Sequence, residues 1–383
     1  SFIVGHKVSL ADIAVWGVMR ANAVMASVVK NEVYINVARW YNFMAADAKF
    51  DVAERTTKAI NELRKSAKAA KGEKKETHKA NFAIDLPNAE TGKVVTRFPP
   101  EPSGYLHIGH VKAAILNEYF AHEYKGKLII RFDDTNPSKE KTEFQDAIIE
   151  DLALLGIKGD QVTYSSNYFN EMYDYAVQMD GNAYCDDTPL EKMREERMVG
   201  DASARRERSV EENLKIFTEE MKNGTEEGLK NCLRAKLDHT NPNKALRDPV
   251  IYRCNLTPHH RTGTHWKMYP TYDFCVPVVD SIEGVTHSLR TNEYRDRNPQ
   301  YDWIQKALKL RHVDIWDFGR VNFMRTLLSK RKLQWFVDKG YVGNWDDPRF
   351  PTVRGVRRRG MTVEGLRNFI LSQGPSKNII NME

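Results

Sequence analysis

The sequence predicts an α/β protein: a doubly wound parallel sheet, interrupted by an inserted α+β unit and preceded by an all-helical unit. Three observations carry that prediction. From Val94 onward, short β-type runs alternate with helical patterns. Within that region, Thr96 to His110 reads as a strand entering a Pro/Gly loop that opens onto a helix N-terminus. Ahead of it, residues 1 to about 62 carry apolar side chains at helical spacing.

The helical unit comes first. Ser9-Leu10-Ala11-Asp12 has the form of a capping box, with Asp12 placed to reach back to the N-cap. Ile13, Trp16 and Met19 follow at roughly helical spacing, and a second helix carries Val37, Trp40, Tyr41 and Met44. The run from Gly5 to Trp16 resembles the C-terminal helical domain of glutathione transferases. The half that would bind glutathione has no counterpart here, so transferase activity is not expected. The resemblance implies a docking module for protein partners. Lys65 to Lys79 is charged and poor in apolar residues, and reads as a linker.

The α/β unit starts with Val94 to Phe98 as a strand and Val111 to Leu116 as the helix after the loop. Backbone N–H groups and the helix dipole favour phosphate at such a junction. Lys127 to Phe132 is a buried strand that ends on Asp133, beside the loop at the ligand-binding edge of the sheet. Helical patterns follow at Glu143–Leu155 and Tyr168–Met179. Residues 187 to 265 break the alternation with a charge-rich run and then short runs such as Leu233–Lys236 and Val250–Arg253, which predict helices and a small antiparallel sheet. The βα pattern resumes at Tyr269–Phe274 and continues through Val278–His287.

Composition sets the outer bounds. The 383 residues suffice for two or three domains, and 41% hydrophobic with 29% charged residues is a soluble globular mix. The chain has no apolar run of about 18 residues and no signal-peptide pattern, so neither membrane insertion nor secretion is expected. The first residue is Ser1, which suggests a processed chain or a fragment. The four cysteines (Cys185, Cys232, Cys254 and Cys275) have no C-x-x-C spacing, so reduced cytoplasmic thiols are expected rather than zinc ligands or disulfides. The net charge of +6 permits a polyanionic partner.

Four motifs in order give a sharper reading. His107-Ile108-Gly109-His110 and Leu328-Ser329-Lys330-Arg331 match, respectively, the first signature and a variant of the second signature of class I aminoacyl-tRNA synthetases. Arg131–Pro137 and Tyr269–Phe274 match the motifs between them. The chain resembles the eukaryotic type of glutamyl-tRNA synthetase, stand-alone or fused to a prolyl enzyme, over about residues 81 to 383. The resemblance implies a Rossmann-type sheet with an acceptor-end-binding insertion. The expected parts are a docking domain (1–64), linker (65–90), first catalytic half (91–186), insertion (187–265), second catalytic half (266–322) and second-signature and stem-contact region (323–383). The family continues into anticodon-binding barrels that would lie beyond Glu383.

By that resemblance, ATP with Mg²⁺ and L-glutamate give a glutamyl-adenylate, which then esterifies tRNA(Glu). His107, His110 and Lys330 are the expected catalytic residues. ATP is expected against Glu101, Pro102, Ser103, His107, Ile108, Gly109, His110, Lys112, Thr291, Arg320, Val321, Leu328, Ser329 and Lys330. Glutamate is expected against Arg97, Glu101, Asp133, Tyr272 and Arg290. Gly109 would let adenine approach the backbone. Asp133 would hold the α-amino group. Arg290 selects glutamate over glutamine, because a buried guanidinium facing a neutral amide lacks its counter-charge. Arg354 to Arg359 would contact tRNA phosphates. Asp280 and Glu283 read as structural. No protein metal site is expected; the partners are tRNA(Glu), glutamate, ATP and protein partners of a multi-synthetase assembly through residues 1–64. The rival readings are a glutaminyl enzyme, against which Arg290 stands, and a non-catalytic tRNA-binding scaffold, against which His107, His110 and Lys330 stand.

Overall fold

A computed structural model describes residues 2–46, 86–138, 141–179, 181–378 and 380–382. The chain divides between Lys79 and Ala80 into two compact units. The stretch from 47 to 85, with most of the expected linker, lies outside the described residues.

The first unit contains α1 (Leu10–Ala21), α2 (Ala23–Lys30) and α3 (Ile35–Ala45). Asp12 does more than cap. Its carboxylate accepts from the Ser9 backbone N–H at 3.0 Å and from Trp40 Nε1 on α3 at 3.0 Å. A local helix-start signal thus doubles as a tertiary tie, and Asp12 is fully buried. Trp16, Met19, Ala38, Tyr41 and Met44 form the core beside it. Ile13 is 43% exposed, so the buried face runs through Asp12, Trp16 and Met19 instead.

The second unit begins earlier than the expected linker end. Leu86 is buried, and its N–H donates to Tyr124 Oη at 3.1 Å. Then follow β1 (Val95–Phe98), α4 (Ile108–Glu123), β2 (Lys127–Phe132), α5 (Thr142–Leu154), β3 (Gln161–Tyr164) and α6 (Phe169–Val177). The strands β1, β2 and β3 are parallel, with Arg97 opposite Ile129 and Ile129 opposite Gln161. Leu128, Ile130 and Phe132 pack with α4 and α5, while Ile129 packs on the other face. This period-two burial on both faces is what a strand covered by helices requires. Each such side chain contributes roughly 1.5–3 kcal/mol.

The insertion is built on β4 (Ala183–Asp186), β5 (Cys232–Ala235), β6 (Val250–Cys254) and β7 (Met268–Pro270), all antiparallel in that order. The expected boundaries at 187 and 265 therefore cut through one sheet: β4 lies before the first and β7 after the second. The Tyr269-Pro270 run, read as a return to the parallel sheet, is the edge strand of the antiparallel one. The insertion's core is also continuous with the parallel-sheet layer. Leu233, Ile251 and Met268 share one cluster with Phe274, Val278 and Ile304 from the helices that follow.

The chain then returns through α7 (Tyr272–Ile282), β8 (His287–Thr291), α8 (Asn298–Ala307) and β9 (Asp314–Phe318). The parallel pair β8–β9 lies beside β1, where Thr286 N donates to Val95 O at 2.9 Å and Val95 N donates to Thr286 Oγ1 at 2.8 Å. The ladders β1-β2-β3 and β8-β9 are separate, and these Thr286 bonds place the second beside β1, the strand that leads into the first-signature loop. After β10 (Val321–Phe323) come α9 (Lys330–Asp338), α10 (Val353–Arg358), α11 (Val363–Gln373) and β11 (Ile380–Met382), which pairs parallel with β10.

Candidate active site

The first-signature loop is fixed by its own side chains. His107 is the N-cap of α4, and its Nδ1 accepts from Gly109 N at 3.1 Å. His110 Nδ1 accepts in turn from His107 N at 3.1 Å. These bonds assign the proton of each neutral imidazole to Nε2. The rings stack with centroids 3.7 Å apart. Burial, with the Lys330 charge nearby, holds His107 down to about 4. Burial and His107 push His110 well below its ordinary value. Both rings are thus uncharged donors at neutral pH. Gly109 is needed by the loop itself, since a Cβ there would lie 3.0 Å from His107 Cε1 and Nδ1.

The two signatures meet although more than 200 residues separate them. Lys330 Nζ donates to Ser103 Oγ at 3.2 Å, and Ser103 Oγ donates to Glu101 Oε2 at 2.7 Å. Ser329 is the N-cap residue of α9. A Cβ at Gly104 would lie 3.1 Å from Lys330 Cδ, and one at Gly109 would lie 3.9 Å from Leu328 Cδ1. Burial lowers the Lys330 pKa, and Glu101 opposes that shift. Pro102 is buried in the loop and Ile108 is half-buried at the start of α4.

Beside this junction opens a cavity of about 840 Å³. Arg97, Glu101, His110, Asp133, Tyr272, Arg290 and Thr291 all line it, drawn from β1, the loop, α4, the end of β2, α7 and β8. Arg290 is 5% exposed, and its Nε has no hydrogen-bond partner. Its guanidinium lies 5.3 Å from the Tyr294 ring, 5.5 Å from Tyr301 and 5.9 Å from Tyr272. Aromatic faces hold the cation without neutralising it. Arg97 is 1% exposed; its Nε is paired with Asp280 at 3.0 Å, while its Nη2 is buried without a partner. A buried unpaired donor is costly, so these two atoms mark where an acceptor belongs. Burial, against the pull of Arg131 and with Asp134 and Glu101 nearby, pushes Asp133 up to about 6. It remains mostly a carboxylate at neutral pH.

Three residues expected at ATP have protein partners or are buried, although Arg320 lies near enough to His107 for its charge to act on that ring. Lys112 is buried, and its Nζ donates to Gly319 O at 2.7 Å, which ties α4 to the turn after β9. Arg320 pairs with Glu293 at 2.6 Å and donates to Asn322 at 2.8 Å. Val321 is buried in β10. The row of arginines expected along tRNA is also divided: Arg354 turns inward to Asp151 and Glu150, each at 2.7 Å. Sequence reasoning missed the cavity wall formed by Arg197, Lys244 and Arg253 from the insertion, and by Tyr294 and Arg297. No local motif signals those side chains. Among the described residues, no cluster of three or more His, Cys, Asp or Glu could hold a metal ion.

Comparison with known proteins follows the same lines. The family model of the tRNA synthetases class I (E and Q), catalytic domain, matches residues 93–383. A cytoplasmic glutamate–tRNA ligase of Saccharomyces cerevisiae is 74% identical over 387 residues, which are 100% of this chain and 54% of that protein. A bifunctional glutamate/proline–tRNA ligase of Mus musculus is 50% identical over 387 residues, 100% of this chain and 25% of that protein. The chain thus spans about half the length, or less, of these relatives. A solved structure of a glutamate tRNA ligase from Elizabethkingia meningosepticum, in complex with its amino acid, covers 76% of this chain and 67% of its own at TM-score 0.50 and 19% identity, a likeness of fold. The chain belongs to the class I tRNA synthetases of the E and Q type.

Proposed function

We propose that this chain carries the site that joins L-glutamate to ATP as a glutamyl-adenylate and passes the glutamyl group to tRNA(Glu), as a cytoplasmic glutamate–tRNA ligase. The observation that carries the choice of amino acid is Arg290. It is a buried guanidinium in the cavity, held by three aromatic rings, with an unpartnered Nε. A side-chain carboxylate supplies the missing counter-charge; a neutral amide does not.

The adenylation step asks the protein for positioning and charge stabilisation, with the substrate's own α-carboxylate attacking the α-phosphorus. Asp133 holds the ammonium group, and Arg97 Nη2 and Tyr272 complete the pocket. His107 and His110 offer Nε2–H donors toward developing charge on the α-phosphate. Lys330, stationed at Ser103, meets the departing diphosphate. Mg²⁺ arrives with the ATP phosphates. Arg197, Lys244 and Arg253 give the cavity a basic wall facing the insertion, suited to the phosphates of a tRNA 3′ end. A docking role for residues 1–64 is supported by exposed Leu10 (83%), Val18 (72%) and Ile35 (72%); partner capture with and without that unit tests it.

ATP–diphosphate exchange with glutamate and glutamine side by side, with and without tRNA, tests the proposal. Arg290→Cys removes a buried charge partner worth about 3 kcal/mol, so kcat/KM for glutamate is expected to fall roughly a hundredfold. Undiminished glutamate exchange in that variant would sink the assignment, and exchange with glutamine alone in the parent chain would favour the glutaminyl reading.

A further inference from the structure

Asp151 lies on α5, fully buried, outside the substrate cavity. Its two oxygens serve two distant segments. Oδ2 accepts from the backbone N–H of Leu106, the residue before His107, at 3.1 Å. Oδ1 accepts from Arg354 Nε on α10 at 2.7 Å. Arg354 is itself held from three more directions. Its Nη2 donates to Glu150 at 2.7 Å and to Ala147 O at 3.3 Å, and its guanidinium lies 4.9 Å from the ring centroid of Tyr105, in the first-signature loop.

The residues just before Arg354 grip the same loop by backbone. Ile108 N donates to Pro351 O and Val353 N donates to Leu106 O, both at 2.9 Å, and His107 and Thr352 form an antiparallel bridge between them. Thr352 is buried; its Oγ1 donates to Trp345 O at 2.6 Å and accepts from Gly355 N at 3.0 Å. Residues 106–108 are therefore clamped between Asp151 on one side and 351–353 on the other. The Asp151–Arg354 pair ties the two jaws together. The orientation of the His107 imidazole depends on this backbone, because its Nδ1 bond goes to Gly109 N and its own N–H goes to His110.

We propose that Asp151 and Arg354 are positioning residues for the adenylation step: their ion pair sets the first-signature backbone so that the His107 and His110 donors face the ATP phosphates. This rests on the glutamate-activating reading given above. The glutamate side should be spared, because Asp133, Tyr272 and Arg290 sit on other elements. The pair makes no contact with that side of the cavity. A small displacement of catalytic donors costs rate more than binding.

The test uses the full chain and ATP–diphosphate exchange. Asp151→Ala is expected to lower kcat about tenfold to a hundredfold and to raise KM for ATP, with KM for glutamate unchanged within twofold. Arg354→Ala should do the same, and the double variant should be no worse than the poorer single one, since the two residues act as one unit. Arg354→Lys, which keeps the charge, should recover most of the loss. Should Asp151→Ala fold poorly, Asp151→Asn serves: its carboxamide oxygen can still accept from Leu106 N but its NH₂ opposes Arg354. In each variant, ring ¹⁵N and ¹H shifts of His107 and His110 report the donors directly, and a merely structural defect would leave those shifts in place in the folded fraction. Equal loss on the ATP and glutamate constants, additive single effects, or unmoved imidazole shifts would each overturn the proposal. A parent chain inactive with glutamate would refute the functional reading instead, and the imidazole shifts would still decide the positioning claim.

Discussion

Replacing Asp280 by asparagine keeps the side-chain volume and removes one charge, and the loss falls on two guanidiniums at once. Asp280 accepts from Arg97 Nε at 3.0 and 3.2 Å, from Arg131 Nη2 at 2.5 Å and from Tyr301 Oη at 2.8 Å. Arg97 and Arg131 are each 1% exposed, and Asp280 is fully buried. Arg131 would keep Glu283 at 2.9 Å, but Arg97 would keep only the Leu289 carbonyl at 3.3 Å. A buried cation left without its partner costs about 3–5 kcal/mol, a large share of ordinary domain stability. Urea unfolding of the second unit should show a lower midpoint at unchanged slope. The same variant should raise KM for glutamate, because Arg97 Nη2 loses its fixed station. The pH dependence gives a sharper check. Burial alone would raise the Asp280 pKa; Arg97 and Arg131 hold it down to about 2 from 3.8. A carboxyl whose folded value lies below its unfolded value stabilises fully above about pH 4 and loses that contribution as pH falls toward 2. The shift corresponds to about 2 kcal/mol. The stability gap between parent and Asp280→Asn should therefore narrow between pH 6 and pH 3. A variant within about 0.5 kcal/mol of the parent at pH 7, well below that 3–5 kcal/mol, or a gap that does not change with pH, would refute the reasoning.

Two further outcomes are expected. Asp133 titrates near 6 because burial raises it, and only the carboxylate can hold an ammonium group; kcat/KM for glutamate should rise with pH through about 6 and level off above it. Asp133→Asn should abolish that limb, and a parent profile flat from pH 5 to 8 would count against the role. Gly104 sits at φ +154°, where a Cβ would press within 3.1 Å of Lys330 Cδ. Gly104→Ala should therefore displace Lys330 and cut diphosphate exchange about tenfold, with strain on the order of 1 kcal/mol; normal exchange would mean that the Lys330 station at Ser103 is dispensable.

Two strands of the parallel sheet, β1 and β2, were legible as short β-type runs that lead into helical patterns, whereas β3 and β9 carried no such signal. Asp133 was legible as a strand-end residue on the ligand-binding edge, but its role and that of Arg290 came only through motif resemblance; spacing does not say that Lys330 touches Ser103, a contact 227 residues away in sequence. What stayed hidden had partners that periodicity cannot name. β11 is three residues long and exists by pairing with β10. The insertion's true edges depend on β4 and β7 pairing across the expected boundaries. Lys112 and Arg354 resembled ligand contacts because a basic residue near a nucleotide motif looks alike whether it faces phosphate or a backbone carbonyl.

Asp280 differs from these cases, because the sequence carried its signal. Phe98 and Phe132 end neighbouring strands and pack on one face of the sheet. Alternation then sends Arg97 and Arg131, the residues before them, to the other face. Two cations buried on one face demand a carboxylate from the helix that covers it. That helix reads Val278-Val279-Asp280-Ser281-Ile282, with a lone acid inside an apolar run. Strand parity together with the lone acid in the covering helix points to the Arg97–Asp280–Arg131 bridge, which leaves Arg97 Nη2 buried without a partner. Under the proposed function, the pocket's selectivity would follow from which cation lacks a counter-charge. Arg97 and Arg131 are neutralised from behind by Asp280 and Glu283, whereas Arg290 rests on aromatic rings and keeps its charge for the ligand.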